Sequence, residues 1–344
     1  MNLLDEHHKK VDKIVSQIRS YHKSKENKKI RFTHGSTNST RVQDKSNFYL
    51  IDISSLNQVI KIDNVKNIAV VEPNLPMDKL VALCLQKGVL PKVVMEFPGI
   101  TCGGGINGAA LEASSFKFGQ FNDTCREYEV ILGNGEVRTV NRKKHADLFY
   151  GIAGSYGSLA LLTCLTLELI SAKSYVNVSF TPVKTASLVN SISLHCRKDF
   201  DFIEGIVFDR EKALLIMGKL SKKIKLPLHT FSKAKDEWFY LYAKKQLAKG
   251  TQTSVLVPLQ DYLFRYNRGA FWTGKYAFAM FHMPFTRLTR WLLNPFMNTR
   301  TMYKGLHDTN LAQNFFIQDF YIPFSQADKF LQLSIHKQDF RLRG

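Results

Sequence analysis

The first residues of the chain repeat in threes and fours. In "DEHHKKVDKIVSQIRSYHK" the apolar positions Val11, Ile14, Val15 and Ile18 recur at helical spacing, which predicts an amphipathic helix over residues 5–23. The polar run "HKSKENKK" ends it. The rhythm then shortens: "KIRF", "FYLIDI", "VIKI" and "NIAVVEP" are brief apolar runs with polar breaks between them, and they read as strands. "PMDKLVALCLQKG" returns to helical spacing. Pro76 is expected in the first turn, where its missing N–H costs nothing, with Asp78 opposing the positive helix end and Gly88 as a left-handed stop. "REYEVILGNGEVRTV" is a hairpin pattern, and its Asn134-Gly135 pair predicts a turn with positive φ at both positions. "HADLFYGIAGSYGSLALLTCLTLELI" predicts a helical piece, a glycine-marked turn and a long apolar strand.

From about Ser174 a second set of elements begins. "SYVNVSFTPV" reads as a strand, "DFIEGIVFDREKALLIMGKL" as a hairpin, and "PLHTFSKAKDEWFYLYAKKQLAKG" contains a helix. Aromatic and arginine residues then crowd "DYLFRYNRGAFWTGKYAFAMFHMPFTRLTRWLLNPF". The change of texture places a domain boundary near residue 172, with residues 1–172 and 173–344 on either side, and no internal repeat is visible.

Composition agrees with two packed lobes: 344 residues, 44% hydrophobic and 22% charged. Cys84, Cys102, Cys125, Cys164 and Cys196 are scattered, without a CxxC pair or ligand spacing, which fits a reducing compartment and no metal site. The formal charge of +19 favours anionic partners such as phosphate-bearing cofactors or an acidic membrane surface. The basic residues are dispersed and form no nucleic-acid-binding motif, so nucleic acid is not the expected partner. No secretory signal pattern and no apolar run of about 18 residues is present, so the expected location is cytoplasmic or peripherally membrane-associated.

The candidate chemistry lies in three glycine- and hydroxyl-rich loops. In "GITCGGGINGAA", Gly103, Gly105 and Gly108 satisfy G-x-G-x-x-G, a weak signal alone. A dinucleotide-binding Rossmann unit runs directly from strand to glycine turn to helix. Here Pro98 and Gly99 interrupt the approach and "SSFKFGQF" is a poor helix. "THGSTNSTR" supplies consecutive backbone donors, four Ser and Thr hydroxyls after Gly35, and Arg41. A concave run of N–H groups binds a diphosphate without a helix. "AGSYGS", residues 153–158, is the third. Bare backbone in three places predicts a large cofactor threaded through the first lobe.

The ordered set "HGSTNST", "PKVVMEFPGITCGGGINGAALEASSFKFGQFNDTCREYEVILGNGE" and "DLFYGIAGSYGSLALLT" resembles the FAD-binding domain of the PCMH-type, vanillyl-alcohol-oxidase superfamily. Within it, the resemblance is to the delta-24 sterol reductase (diminuto/seladin) group. "FIEGIVF", "PLQDYLFRYNRGAFW" and "FIQDFYIPFSQADKFL" resemble landmarks of that group's second domain, so the likeness covers roughly residues 10–333. The resemblance implies an α+β protein: a two-part PCMH-type FAD-binding domain followed by an incomplete α+β cap domain. It implies that Gly35, Ser36, Thr37, Asn38 and Ser39 cradle the FAD diphosphate. Thr101, Gly103, Gly104, Gly105 and Gly108 would pass the flavin, Ser114 and Ser115 would add hydroxyl contacts, and Gly119, Gly154 and Gly157 would complete the pocket. Thr37 stands where many relatives carry a flavin-tethering histidine, and His34 lies three residues earlier, so the FAD is expected to be non-covalent.

The implied reaction passes hydride from NADPH to FAD and then to an isolated C=C of an apolar, sterol-like substrate, with an acid protonating the other carbon. Tyr262, Arg265 and Glu204 are the candidate acids and shapers, and Arg268 and Trp272 the candidate substrate contacts. The wider aromatic stretch, Phe271 to Phe296, would line an apolar slot or touch a membrane. Two departures from the group are the lack of an N-terminal membrane helix and an early end after the "QDFYIPF" landmark. The alternatives are an FAD-linked oxidase of an alcohol or sugar, and an inactive truncated remnant.

Overall fold

A computed structural model describes residues 2–24, 27–35, 47–224, 226–309 and 319–337. Contacts divide the chain into two compact units, Met1–Ala172 with Met302–Asn314, and Lys173–Thr301 with Phe315–Gly344. Helices and sheets share both units, an α+β architecture.

The first unit opens with helix α1 (Leu3–Ser24). Strands β1 (Lys29–Thr33) and β2 (Phe48–Asp52) pair in parallel as a separate small sheet. The apolar stripe of α1 explains how that sheet is covered. Val11, Ile14, Val15 and Ile18 pack in one cluster with Ile51, Ile53, Leu56, Ile131 and Leu161. Each fully buried aliphatic side chain contributes roughly 1.5–3 kcal/mol. Strands β3 (Val59–Asp63) and β4 (Ile68–Val71) follow. Helix α2 (Met77–Gln86) turns Met77, Leu80, Val81 and Cys84 inward. Pro76 is its N-cap, with φ −73° and ψ 150°, one position earlier than expected. Gly88 has φ +70°, the left-handed stop anticipated for this helix.

After β5 (Val89–Pro91) the glycine segment forms a short helix, α3 (Cys102–Asn107), capped by the Thr101 hydroxyl, which accepts from Gly104 N at 3.2 Å. "SSFKF" contributes only the four-residue α4 (Ser115–Phe118), stopped by Gly119 at φ +77°. Strands β6 (Cys125–Ile131) and β7 (Val137–Asn141) are the expected hairpin. Its turn differs from expectation: Gly135 has φ +82° but Asn134 does not enter the positive-φ region. Ile131 faces Val137, and Leu132 N bonds to Glu136 O, leaving a three-residue loop with a left-handed glycine last. The extra residue, Gly133, removes the need for the two-residue turn.

Helix α5 (Ala146–Ile152) leads into β8 (Leu161–Ser171), the long apolar strand. It lies at the centre of the order β3-β4-β8-β6-β7, with β5 also paired to it. Its neighbours satisfy its backbone on both edges, while its faces differ: Leu165, Leu167 and Leu169 are buried and the alternating Cys164, Thr166 and Glu168 are only half-buried.

The second unit is built on an antiparallel sheet of order β10-β11-β9-β12. Its strands are β9 (Tyr175–Lys184), β10 (Phe202–Val207), β11 (Lys212–Ser221) and β12 (Thr253–Pro258). Helix α6 (Leu188–Cys196) joins β9 to β10, and α7 (Phe239–Ala248) precedes β12. The β10–β11 hairpin is held at its turn by Asp209, whose Oδ1 accepts from Glu211 N at 2.8 Å and Lys212 N at 2.7 Å. The aromatic stretch forms short helices α8 (Leu259–Leu263), α9 (Thr273–Met280) and α10 (Arg287–Leu292). Helices α11 (Thr299–Asp308) and α12 (Phe324–Lys337) come last.

Candidate cofactor site

The glycine segment is knitted into its surroundings by its own backbone. Cys102 N donates to Leu75 O at 3.0 Å, Gly103 N to Pro73 O at 2.7 Å, and Gly105 N to Thr101 O at 2.9 Å. Ala110 O accepts from Phe121 N at 2.8 Å. The three consecutive glycines have different tasks. A Cβ on Gly103 would lie 2.7 Å from Pro73 Cβ, and one on Gly105 2.7 Å from Met95 Cε and 2.9 Å from Phe121. Both are buried, and their bare faces admit the unit's own side chains. Gly104 and Gly108 are exposed, and they present the open backbone of the segment.

The third loop sits directly against this turn. Gly154 N donates to Ile106 O at 3.4 Å and Tyr156 N to Asn107 O at 3.2 Å. Gly154 (φ +72°), Tyr156 (φ +53°) and Gly157 (φ +77°) all adopt positive φ. Two loops about 50 residues apart in sequence therefore meet through backbone bonds, with bare glycine on each. The first loop is described only through Gly35, at φ +71°. Ser36, Thr37, Asn38 and Ser39 lie outside the described residues, as does Arg41.

Ser114 and Ser115 are both buried. The Ser114 hydroxyl donates to Lys92 O at 2.9 Å, and the Ser115 Oγ accepts from Glu112 N at 2.9 Å. The Glu112 carboxylate in turn accepts from Glu96 N at 3.0 Å. These serines tie the segment behind the turn to the exit of β5. Gly119 closes α4, and Asp123 packs where its side chain would be.

Two polar atoms at the loop junction have no protein partner. Asn107 Oδ1 and Ser155 Oγ are buried without a hydrogen bond. An unmet buried polar group costs about 1–3 kcal/mol, so a polar group docking at this junction would relieve it. The open glycine faces suit a flat ring and the two orphaned atoms suit its polar edge, so the residues present fit a flavin. Neither Asn107 nor Ser155 stood out in the sequence. The signal was an amide inside the glycine motif itself, at "GGGING".

A second feature invisible to the sequence is a buried ionic cluster beneath α1. His7 Nδ1 lies 2.9 Å from Glu72 Oε1 and Nε2 lies 3.0 Å from Glu129 Oε1. Lys10 Nζ adds an ion pair to Glu72 at 2.8 Å, Gln58 N donates to Glu72 Oε2 at 2.8 Å, and the Thr163 hydroxyl donates to Glu129 at 2.7 Å. Burial alone would push the His7 pKa down, but hydrogen bonds and charges from Glu129 and Glu72 more than reverse this, raising it from 6.5 to about 9.

In the second unit the residues expected to act on substrate, Trp272 excepted, are buried or half-buried in contacts within the chain. Arg265 is buried and grips Glu204 with both arms, Nε to Oε1 at 3.0 Å and Nη2 to Oε2 at 2.7 Å, while Nη1 donates to Tyr262 O at 2.8 Å. Its guanidinium lies 4.4 Å from the Tyr262 ring centroid and 4.7 Å from that of Tyr266. Burial works against the Arg265 charge, but Glu204 outweighs it and holds the pKa above the ordinary arginine value. Arg265 is therefore no proton donor, and Tyr262 is fully enclosed. Arg268 is likewise saturated: it donates to Asn294 Oδ1 at 2.8 Å, Phe231 O at 3.1 Å, Asp236 O at 3.0 Å and Ala234 O at 3.0 Å. This guanidinium organises three backbone carbonyls. Trp272 remains 40% exposed beside Tyr240 and Phe271.

Among the described residues no cluster of His, Cys, Asp or Glu could hold a metal, and no helix is long and apolar enough to cross a membrane. All five cysteines are unpaired, and burial pushes the Cys84 thiol up to about 12.

Comparison with known proteins bears on the same segment. Residues 6–141 match the family described as FAD binding domain. Among curated relatives, the Delta(24)-sterol reductase of Macaca fascicularis is 27% identical over 287 residues, 82% of this chain and 55% of its own length. That of Arabidopsis thaliana is 28% identical over 316 residues, 86% of this chain and 55% of its own. That of Pisum sativum is 27% identical over 354 residues, 96% of this chain and 62% of its own. The chain thus spans little more than half the length of these relatives. Residues 6–141 thus match an FAD-binding domain, and over most of its length the chain is similar to delta(24)-sterol reductases.

Proposed function

We propose that this chain binds FAD non-covalently in its first unit and serves an oxidoreductase that reduces an isolated C=C of an apolar, sterol-like substrate, with NADPH as electron donor. The observation that carries the reading is the meeting of the 101–110 and 153–158 loops, with bare glycines and unmet polar atoms at their junction, the first of these loops lying in the matched FAD-binding segment.

In this reading Gly35 to Ser39 hold the diphosphate. Gly104, Gly108, Gly154 and Gly157 admit the ring system, and Thr101 fixes the turn through its cap. Gly103, Gly105, Ser114, Ser115 and Gly119 shape the wall from behind rather than touching the cofactor. Bound FAD would supply hydride chemistry at its N5. The protein's share is to position the ring against the loops and keep water from its reactive face. The large aromatic residues left exposed in the second unit, including Trp272, Phe281, Trp291 and Phe296, support an apolar ligand or a membrane-surface contact for that unit.

Flavin absorbance and fluorescence of the purified chain after FAD addition test the first step; a saturable, stoichiometric complex is expected. Anaerobic addition of NADPH should then bleach the flavin band, and an oxygen pulse should restore it slowly. Rapid reoxidation by oxygen after reduction by an alcohol would favour an oxidase instead. A chain that folds but never retains FAD would overturn the proposal.

A further inference from the structure

The 101–110 segment has little hydrogen-bonding capacity left in its backbone. Gly103, Gly104, Gly105, Gly108, Ala109 and Ala110 each donate their N–H to an acceptor of the chain itself. What remains unmet at the junction is on two side chains, Asn107 Oδ1 and Ser155 Oγ. Their loops are bonded to one another through Ile106 O and Asn107 O, so the two atoms belong to one local structure. One is an acceptor. The other is a hydroxyl able to donate or accept. Native proteins rarely leave two buried polar atoms idle at one place, and such exceptions call for a ligand or a catalytic use.

We propose that Asn107 and Ser155 recognise the pyrimidine edge of the flavin: Asn107 Oδ1 accepts the ring N3–H, and the Ser155 hydroxyl donates to an adjacent ring carbonyl. The inference rests on the FAD reading above and deepens it. The glycines admit any flat ring, whereas these two side chains select one with a donor flanked by acceptors. Asn107 and Ser155 are thus binding and orienting residues, fixing which edge of the ring enters the junction.

The test uses the whole chain and two probes, FAD and 3-methyl-FAD, whose N3 carries no proton. Dissociation constants come from flavin fluorescence, and the melting temperature of the cofactor-free protein is recorded alongside. The wild-type chain should bind FAD about tenfold or more tightly than 3-methyl-FAD, the scale of one well-made hydrogen bond lost with its partner left unmet. Asn107→Ala should weaken FAD binding by a similar factor and shrink the preference to within about twofold, the coupling expected of two groups in contact. Ser155→Ala should weaken both probes alike. Cofactor-free Asn107→Leu should melt no lower than wild type, because an idle polar atom has been removed.

If wild type binds both flavins equally, the inference falls while the FAD reading stands. Loss of cofactor-free stability in proportion to affinity would make both residues merely structural and would also sink it. A wild-type chain that binds neither flavin removes both proposals. Should Asn107→Leu fail to fold, the wild-type comparison of the two flavins still decides.

Discussion

Gly103, Gly104 and Gly105 are adjacent and identical, yet they answer to different neighbours. Gly105→Ala would press a methyl group into Met95 and Phe121, and overpacking of this kind costs about 1–3 kcal/mol. Thermal unfolding should register it as a lowered midpoint in the cofactor-free protein. Gly104→Ala meets the Thr101 hydroxyl at 3.1 Å and Ile100 at 4.0 Å, with no buried side chain in its way, so its midpoint should stay close to wild type. A bulky Gly104→Phe should then weaken FAD binding far more than stability, and a titration in which it binds normally would remove Gly104 from the site. The Glu204–Arg265 pair is the corresponding test in the second unit. Arg265→Met alone strands a carboxylate among aromatic rings, a loss of about 3–5 kcal/mol by denaturant titration. Adding Glu204→Leu should recover much of it. If instead Arg265→Met leaves stability intact and abolishes turnover, the structural assignment is wrong.

Helix α1 is anchored twice, by its aliphatic stripe and by His7. The stripe is indifferent to pH, but the His7 contacts are not. With its pKa raised from 6.5 to about 9, His7 contributes stability that is full below pH 6.5 and is lost as pH climbs through 9. Glu72 and Glu129 shift the other way: burial pushes each up, but His7 and their other partners pull them below the ordinary carboxylate range. Their contribution is present above that range and fades as pH falls through the depressed values. Anchoring of α1 should therefore peak in mildly acidic solution, roughly pH 5–6.5, and weaken by on the order of 3 kcal/mol towards pH 10. Amide exchange of α1, corrected for intrinsic rates, measures this. A His7→Asn variant should flatten the alkaline limb, and an unchanged limb would mean that another group titrates there.

For the molecule as a whole, FAD should act as a folding ligand. At a hundred times its dissociation constant it should add about 2.7 kcal/mol to the stability of the unit that binds it. A calorimetric scan in which FAD moves no transition would contradict a site in either unit. Much of the architecture is legible in the sequence. The α1 stripe, the short strands, the β6–β7 and β10–β11 hairpins and the 153–158 loop all follow from spacing, because periodicity and turn chemistry act over a few residues. Local pattern also settled that Gly88 would stop α2 and that "LALLTCLTLELI" would be a long apolar strand. It could not say that Asn134 would keep negative φ, since that depended on one extra loop residue and the register opposite. Nor could it separate Gly103 and Gly105, which face Pro73, Met95 and Phe121, from Gly104, which faces outward. The arginines are ambiguous for the same reason. An aromatic–arginine run looks alike whether the guanidinium meets a substrate or, as with Arg265 and Arg268, Glu204 and three backbone carbonyls. Sequence alone determined the α1 and α2 helices, the strands and the two hairpins, because those choices are made among near neighbours; the glycine segment, read as a bare loop, forms α3 on the Thr101 cap. Only the tertiary structure decided that the 101–110 and 153–158 loops touch, that Asn107 and Ser155 are left unmet between them, and that His7 is buried against two carboxylates. Each of those depends on partners brought together from far along the chain.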